Sequence, residues 1–306
     1  MAQRPRVAAA PWDCAGDVRY AALGRTASGA CRMVRVARAL LAIAAGLVLG
    51  APLMAQAPAP KPAKPEMTAE FCPGLVVSGR PRVRPAALAA DQARLTYIGH
   101  STFLVESAKL VRIATDYNDY VKPPVTPDIA TMNRAHSTHY TDRPDPAIKH
   151  VLRGWNQDGS PTGYDLTYQD VRIRSVATNI RDWSGGTTRH GNSIFIFEIG
   201  TLCIAHLGHL HHTLTQQQLD QMGRIDVVMV PVDGSFTLDQ EGMAEVLQSI
   251  KAPLMIPMHY FSTHTLNRFL DRVRENYTVE HADTPSVVVS RATLPASPKV
   301  LVLPGR

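Results

Sequence analysis

The chain has 306 residues, a formal charge of +6 and only four cysteines. Seven of its basic residues, all arginine, fall in residues 1–55 against Asp13 and Asp17, so the remainder sits near neutrality at +1 and a nucleic-acid role has no electrostatic support. No C-x-x-C pair occurs, which argues against thiolate zinc sites and dithiol redox chemistry.

In chain order, Arg32, Arg35 and Arg38 precede the apolar run Ala39–Leu49, and small residues follow at Ala51 to Ala55. A basic segment, an apolar stretch too short to span a bilayer comfortably and a small-residue end read as a secretory signal cleaved near Ala55. The alternative is an uncleaved membrane anchor. Met33 is placed where a signal of ordinary length would start, so residues 1–32 are read as lying upstream of the true start. The expected location is therefore periplasmic or secreted, with no stable membrane span after cleavage. Residues 56–93 form a linker and lead-in: Gln56–Met67 is rich in Pro, Ala and Lys and reads as a disordered or polyproline spacer, with a helix possible over Ala86–Ala93. Residues 94–306 suffice for one large domain with its own core.

That domain opens β-rich. Leu95–Gly99 and Thr102–Glu106 read as paired strands around a tight Gly-His-Ser link, followed by strands at Leu110–Thr115, Asp128–Met132 and Val171–Val176, and a hairpin of Ser193–Glu198 with Leu202–Ala205. The second half alternates: helix Thr215–Met222, strand Asp226–Val232, helix Leu238–Ile250, strand Pro253–Pro257, helix Leu266–Asn276, then strands Val287–Ser290 and Val300–Val302. Strands followed by strand–helix units predict a layered α/β fold with a site along one edge. Cys72 and Cys203 would be the cysteines left after cleavage, able to pair in an oxidising compartment or to stand as separate thiols.

All twelve histidines follow residue 99, and several fall at strand ends. His136 and His139 share a short loop, His206, His209, His211 and His212 crowd seven residues, and His259 ends a strand. Imidazoles converging from strand ends point to a transition metal rather than Mg or Ca.

The ordered set Gly99-His100-Ser101-Thr102-Phe103-Leu104, Ile113 to Asp116, Thr131 to Asp142, Gly191 to Phe195, His206-Leu207-Gly208, Pro231 to Gly234 and Ile256 to Tyr260 resembles the metallo-β-lactamase fold superfamily, in the branch that includes ascorbate-phosphate lactonases, over roughly residues 94–270. The resemblance implies a four-layer αββα sandwich with one or two divalent metals at its edge. Laid on the family motif H-x-H-x-D-H, the second and third histidines are His136 and His139. The first histidine is replaced by Arg134 and the metal-binding aspartate by Thr138. The bridging aspartate is replaced by His209, the last histidine is His259, and the isolated middle histidine has no clear counterpart, Asn179 or Asp182 lying nearest.

Losing the bridging carboxylate removes the negative charge that two adjacent cations need. The implied centre is one divalent transition ion, with zinc favoured, held by His136, His139, His209 and His259. Four protein ligands would make it structural, three plus water catalytic. With Thr138 in the place of the usual base, Asp142 or Asp116 could take that role. Tyr260 could donate to a developing oxyanion, and Arg189 and His212 could bind substrate. The expected function is an exported metal-dependent hydrolase of small-molecule esters, lactones or phosphoesters. A non-catalytic metal- or ligand-binding protein on the same fold is the alternative, and an oxygen-reacting iron or copper centre is a third reading.

Overall fold

The computed structural model describes residues 87–305. The signal and its start at Met33, the spacer and Cys72 lie outside the described residues. Fourteen strands and three α-helices follow. The strands are β1 (Gln92–Gly99), β2 (Thr102–Glu106), β3 (Arg112–Ala114), β4 (Ile129–Met132), β5 (His150–Arg153), β6 (Asp165–Tyr168), β7 (Val171–Arg181), β8 (Thr187–Ile199), β9 (Leu202–His206), β10 (Val227–Pro231), β11 (Leu254–Met258), β12 (Thr278–His281), β13 (Ser286–Ser290) and β14 (Lys299–Val302). The helices are α1 (Gln216–Met222), α2 (Gln240–Ile250) and α3 (Thr263–Val273). None is long and apolar enough to cross a membrane.

The strands form two sheets, ordered β13-β1-β2-β3-β4-β5 and β12-β14-β11-β10-β9-β8-β7-β6. Hairpin-linked strands pair antiparallel, as β7 with β8 and β8 with β9, whereas β9, β10, β11 and β14 pair in parallel. Alternate side chains point to opposite faces of a strand, and one set packs sheet on sheet. Leu95, Phe103, Ile113 and Ile129 of the first sheet share a core with Phe195, Phe197, Met229 and Ile256 of the second. The other set of the second sheet, including Ile194, Ile196, Val228 and Val230, packs under Met243 and Val246 of α2 and Phe269 of α3. Burial on both faces is why β10 and β11 read as unbroken apolar runs. The outer face of the first sheet is closed by Tyr117, Ile148 and Trp155 from loops, with no helix among the described residues. The α/β sandwich expected from the sequence is present.

Two local readings differ. Residues 87–91 are coil and turn, and Gln92 and Ala93 already pair with Ser290 and Val289. Strand pairing overrides the helix propensity of the alanines over 86–93. Strands β5, β6 and β12 are absent from the sequence reading. Each lies at a sheet edge, and β6 and β12 are half exposed and polar, so they lack the apolar alternation that marks an inner strand.

Candidate metal centre

The strands that fill the core end together at one edge, and the chemistry-bearing residues sit just past those ends. After β3 the chain turns at Asp116 in a left-handed conformation (φ 43°). After β4 it runs into a loop whose own bonds, Asn133 N–H to His139 O (3.1 Å) and His139 N–H to His136 O (2.9 Å), hold His136 and His139 on one turn. β9 delivers His206 and then turns at Gly208 (φ 61°) to His209. β11 delivers His259, also left-handed (φ 54°), whose N–H donates to the His100 carbonyl at 2.7 Å.

The structure brings His136, His139, His209 and His259 together: one ring nitrogen from each lies within 4.8 Å of all the others. His139 Nε2 and His259 Nε2 are 3.2 Å apart, and His136 Nε2 and His209 Nε2 are 3.0 Å apart. His139, His209 and His259 are buried and His136 half-buried.

What lies behind the rings fixes their protons. His139 Nδ1 is 2.6 Å from Asp116 Oδ2. His259 Nδ1 is 3.0 Å from Asp233 Oδ1, a close contact short of hydrogen-bond alignment. A carboxylate behind Nδ1 keeps the proton there and leaves Nε2 as a lone pair. The two Nε2 atoms therefore face each other across 3.2 Å as acceptors with no hydrogen between them, an arrangement that a cation satisfies and water-free packing does not. An all-imidazole cluster suits zinc or another late transition ion, so the residues present fit a metal.

Both carboxylates are themselves tied down. Asp116 is fully buried and its other oxygen accepts Asn133 Nδ2–H at 3.0 Å. Asn133 also accepts the Ser193 N–H (2.8 Å) from β8. Burial pushes the Asp116 carboxyl up, against the pull of His206 and its hydrogen bonds. Burial would also raise Asp233, but the close His259 ring and the Thr237 hydroxyl hold it well below the usual carboxylate range. The loop amides of Ser235 and Thr237 point at its Oδ2 as well.

Burial lowers the proton affinity of several of these histidines. It pulls His100 down to about 4, helped by His259, and His211 to about 4, helped by Arg181. His139 and His209 go well below the ordinary value through burial and the neighbouring imidazoles. A histidine lowered in the folded state stabilises above its unfolded pKa, about 6.5, and that contribution is lost as pH falls toward the folded value. Asp116 opposes this only near and above the ordinary carboxylate range, and Asp233 contributes only at lower pH still. The chelator-treated protein is thus expected to lose at least about 5 °C of melting temperature between pH 7.5 and 5. A flat or rising profile in calorimetry over that window would contradict the buried neutral cluster.

The other residues singled out from sequence fall elsewhere. Asp142 is exposed and makes no hydrogen bond to the cluster. Asp116 holds His139 from behind with both oxygens engaged, so it orients the ring rather than acting as a base. Tyr260 packs between the two cores, its ring 6.4 Å from that of Tyr97, instead of joining the histidines. Alternation explains it: the residue after His259 turns to the other side of the chain. Arg134 and Arg189 are exposed, and neither side chain makes a hydrogen bond or ion pair. His212 is half-buried behind His211. Asn179 accepts the His190 N–H (3.1 Å) and Asp182 caps the β7–β8 turn, so neither stands in for a missing histidine. Thr138 accepts the His136 Nδ1 proton at 2.7 Å, an orienting contact where the family motif has a ligand. His206 is structural: its Nε2–H donates to the Ser101 carbonyl across the sandwich at 2.8 Å.

Three residues carry more than sequence reasoning assigned to them. His100 lies with its ring 4.2 Å from His259, Asp233 backs His259, and His211 backs His209. The shared signal was present, since each is a histidine or aspartate just past a strand end.

Beside the cluster lies a cleft of about 330 Å³ walled by Arg181, Trp183, His136, His209, His211 and Phe236. It is at the small end of the roughly 300–1,000 Å³ range of small-molecule sites. Trp183, at the tip of the β7–β8 turn, is 96% exposed, and Phe236 and Phe261 meet edge-on at 5.5 Å. Phe261 in turn packs on His100 and His259.

The family model of the beta-lactamase superfamily domain matches residues 94–259. Among curated proteins, a UPF0173 metal-dependent hydrolase of Thermoplasma acidophilum is 25% identical over 191 residues, covering 56% of this chain and 84% of its own. One of Methanoculleus marisnigri is 23% identical over 210 residues, covering 64% and 92%. Among solved structures, a Thermotoga maritima protein provisionally described as a Zn-dependent hydrolase of the metallo-beta-lactamase superfamily is 27% identical with a TM-score of 0.52, covering 70% of this chain and all of that one.

Proposed function

The chain belongs to the metallo-β-lactamase superfamily, and from that premise we propose that it is an exported hydrolase that uses one zinc-class ion to cleave a small-molecule ester, lactone or phosphoester. The observation that carries the reading is the convergence of four imidazoles, two of them with bare Nε2 atoms facing each other at 3.2 Å. A single ion is favoured because no carboxylate enters the cluster to offset a second one. Export rests on the basic and apolar pattern of residues 32–55.

His136, His139 and His259 would hold the ion, with His209 closing the fourth side of the cluster, and when bound the ion acidifies water and polarises the scissile group. The cleft would take the organic part of the substrate against Trp183 and Phe236, excluding water from the reacting bond. His100 lines the site beside the cluster, its ring 4.2 Å from that of His259. Ser101 Oγ lies 3.1 Å from both His100 Nδ1 and His139 Nδ1, tying the two rings together. Burial holds His100 at about 4, so at neutral pH it stands beside the site as a neutral imidazole that can accept a hydrogen bond from water rather than carry its proton.

Metal analysis and hydrolysis of a panel of esters, lactones and phosphodiesters test this. About one tightly bound ion per chain is expected, with loss of both metal and hydrolysis in His136→Ala and His259→Ala by at least about 1,000-fold in kcat/KM. An intact metal site with no hydrolysis of any panel member would favour a non-catalytic binding protein. Protein that takes up no ion under any loading condition would refute the site.

A further inference from the structure

The four histidines are not equivalent, and the difference lies in what stands behind each ring. His139 and His259 have carboxylates there, and His136 has the Thr138 hydroxyl. His209 has another histidine: its Nδ1 is in short hydrogen-bond contact with His211 Nε2. The far side of His211 settles the direction of that bond. The backbone N–H of Arg181 meets His211 Nδ1 at 2.6 Å, and a backbone N–H can only donate. His211 Nδ1 is therefore an acceptor, and the proton of the neutral ring is on Nε2. That proton is donated to His209 Nδ1, so His209 carries its own proton on Nε2. Nε2 is the atom turned to the cluster, 3.0 Å from His136 Nε2.

Resting on the metal reading above, we propose that His209 faces the site as an N–H donor, set by His211, and that the ion takes only His136, His139 and His259 from the protein. For His209 to ligate through Nε2, its proton would have to move to Nδ1. Two N–H groups would then oppose each other in a buried contact, a mismatch with no water to relieve it. Three protein ligands leave the fourth position of a tetrahedral site open, the arrangement of catalytic rather than structural zinc. The His209 N–H is then available to an oxygen at that open position, as a donor to developing negative charge. His211 is a positioning residue: it touches neither ion nor substrate and acts by choosing the tautomer of its neighbour.

The test uses the full chain, loaded with Co(II) as a spectroscopic stand-in for zinc. Affinity is read by chelator competition, and the open position by the change of the visible Co(II) bands on adding azide. His136→Ala and His259→Ala are expected to weaken Co(II) by at least about 100-fold. His209→Ala and His209→Asn are expected to stay within about threefold of wild type, the second variant covering the case in which alanine leaves the site collapsed. Wild-type bands should respond to azide. In His211→Ala, where His209 is free to carry its proton on Nδ1 and present a lone pair, the azide response should be lost while Co(II) binding is kept. Loss of Co(II) in both His209 variants to the level of His136→Ala would overturn the proposal by making His209 a ligand. An unchanged azide response in His211→Ala would overturn the positioning role. If His136→Ala and His259→Ala bind Co(II) like wild type, the metal reading itself falls, a result distinct from the other two.

Discussion

Gly208→Ala is expected to lower the melting temperature by about 10 °C. Two costs combine. Gly208 has φ 61°, a left-handed backbone that an alanine adopts only with strain. A Cβ there would also lie 2.3 Å from Asn133 Nδ2 and 2.4 Å from Asn192 Oδ1. Neither amide can yield freely. Asn133 joins Asp116 to Ser193, and Asn192 accepts the His209 N–H at 2.8 Å while donating to Thr178 and Leu207. Displacing either leaves buried polar atoms unpaired, at about 1–3 kcal/mol each. A thermal melt of the chelator-treated variant checks this without any contribution from bound metal. A shift below 2–3 °C, roughly the size of an ordinary surface substitution, would show that the loop relaxes around the methyl group.

Asp116→Asn is expected to weaken metal binding by about 10–100-fold while leaving the fold in place. Asparagine tolerates the left-handed backbone at this position (φ 43°) and nearly matches aspartate in shape. What it cannot match is the pair of incoming donors, His139 Nδ1–H at 2.6 Å and Asn133 Nδ2–H at 3.0 Å. One side of an amide accepts and the other donates, so one of the two meets a like group in a fully buried pocket. The ring of His139 then loses the partner that keeps its proton on Nδ1, and its Nε2 lone pair is no longer assured. Titration of the variant with Co(II), with circular dichroism as the check on folding, measures the effect. Wild-type affinity with an intact spectrum would mean that packing alone orients His139.

Much of this was legible in the sequence, for identifiable reasons. Inner strands such as Val227–Pro231 and Leu254–Met258 are buried throughout, and unbroken apolar runs advertise that. Several histidines follow such runs, and the resemblance to the family motif picked the four that converge from among them. The residues that govern those histidines could not. Asp233 and His211 act from behind the rings, and their roles depend on which ring nitrogen they reach, a matter of one torsion angle rather than of spacing. Tyr260 and Asp142 failed as candidates for the complementary reason. Nearness in sequence to His259 and His139 says nothing about which way a neighbouring side chain turns, and at a strand end successive side chains diverge. Thr138 was readable as a lost ligand but not as the hydroxyl that holds His136 in place.

The way the cluster is gathered also sets when it can exist. His136 and His209 are 73 residues apart and His139 and His259 are 120 apart, and the turn at His100 is held by the amide of His259 from the opposite sheet. A contiguous fragment ending before β11 lacks His259 and the contact its amide makes with the first sheet. Assembly of the full cluster therefore follows synthesis of β11 and docking of the two sheets, a late event in a topology dominated by distant contacts.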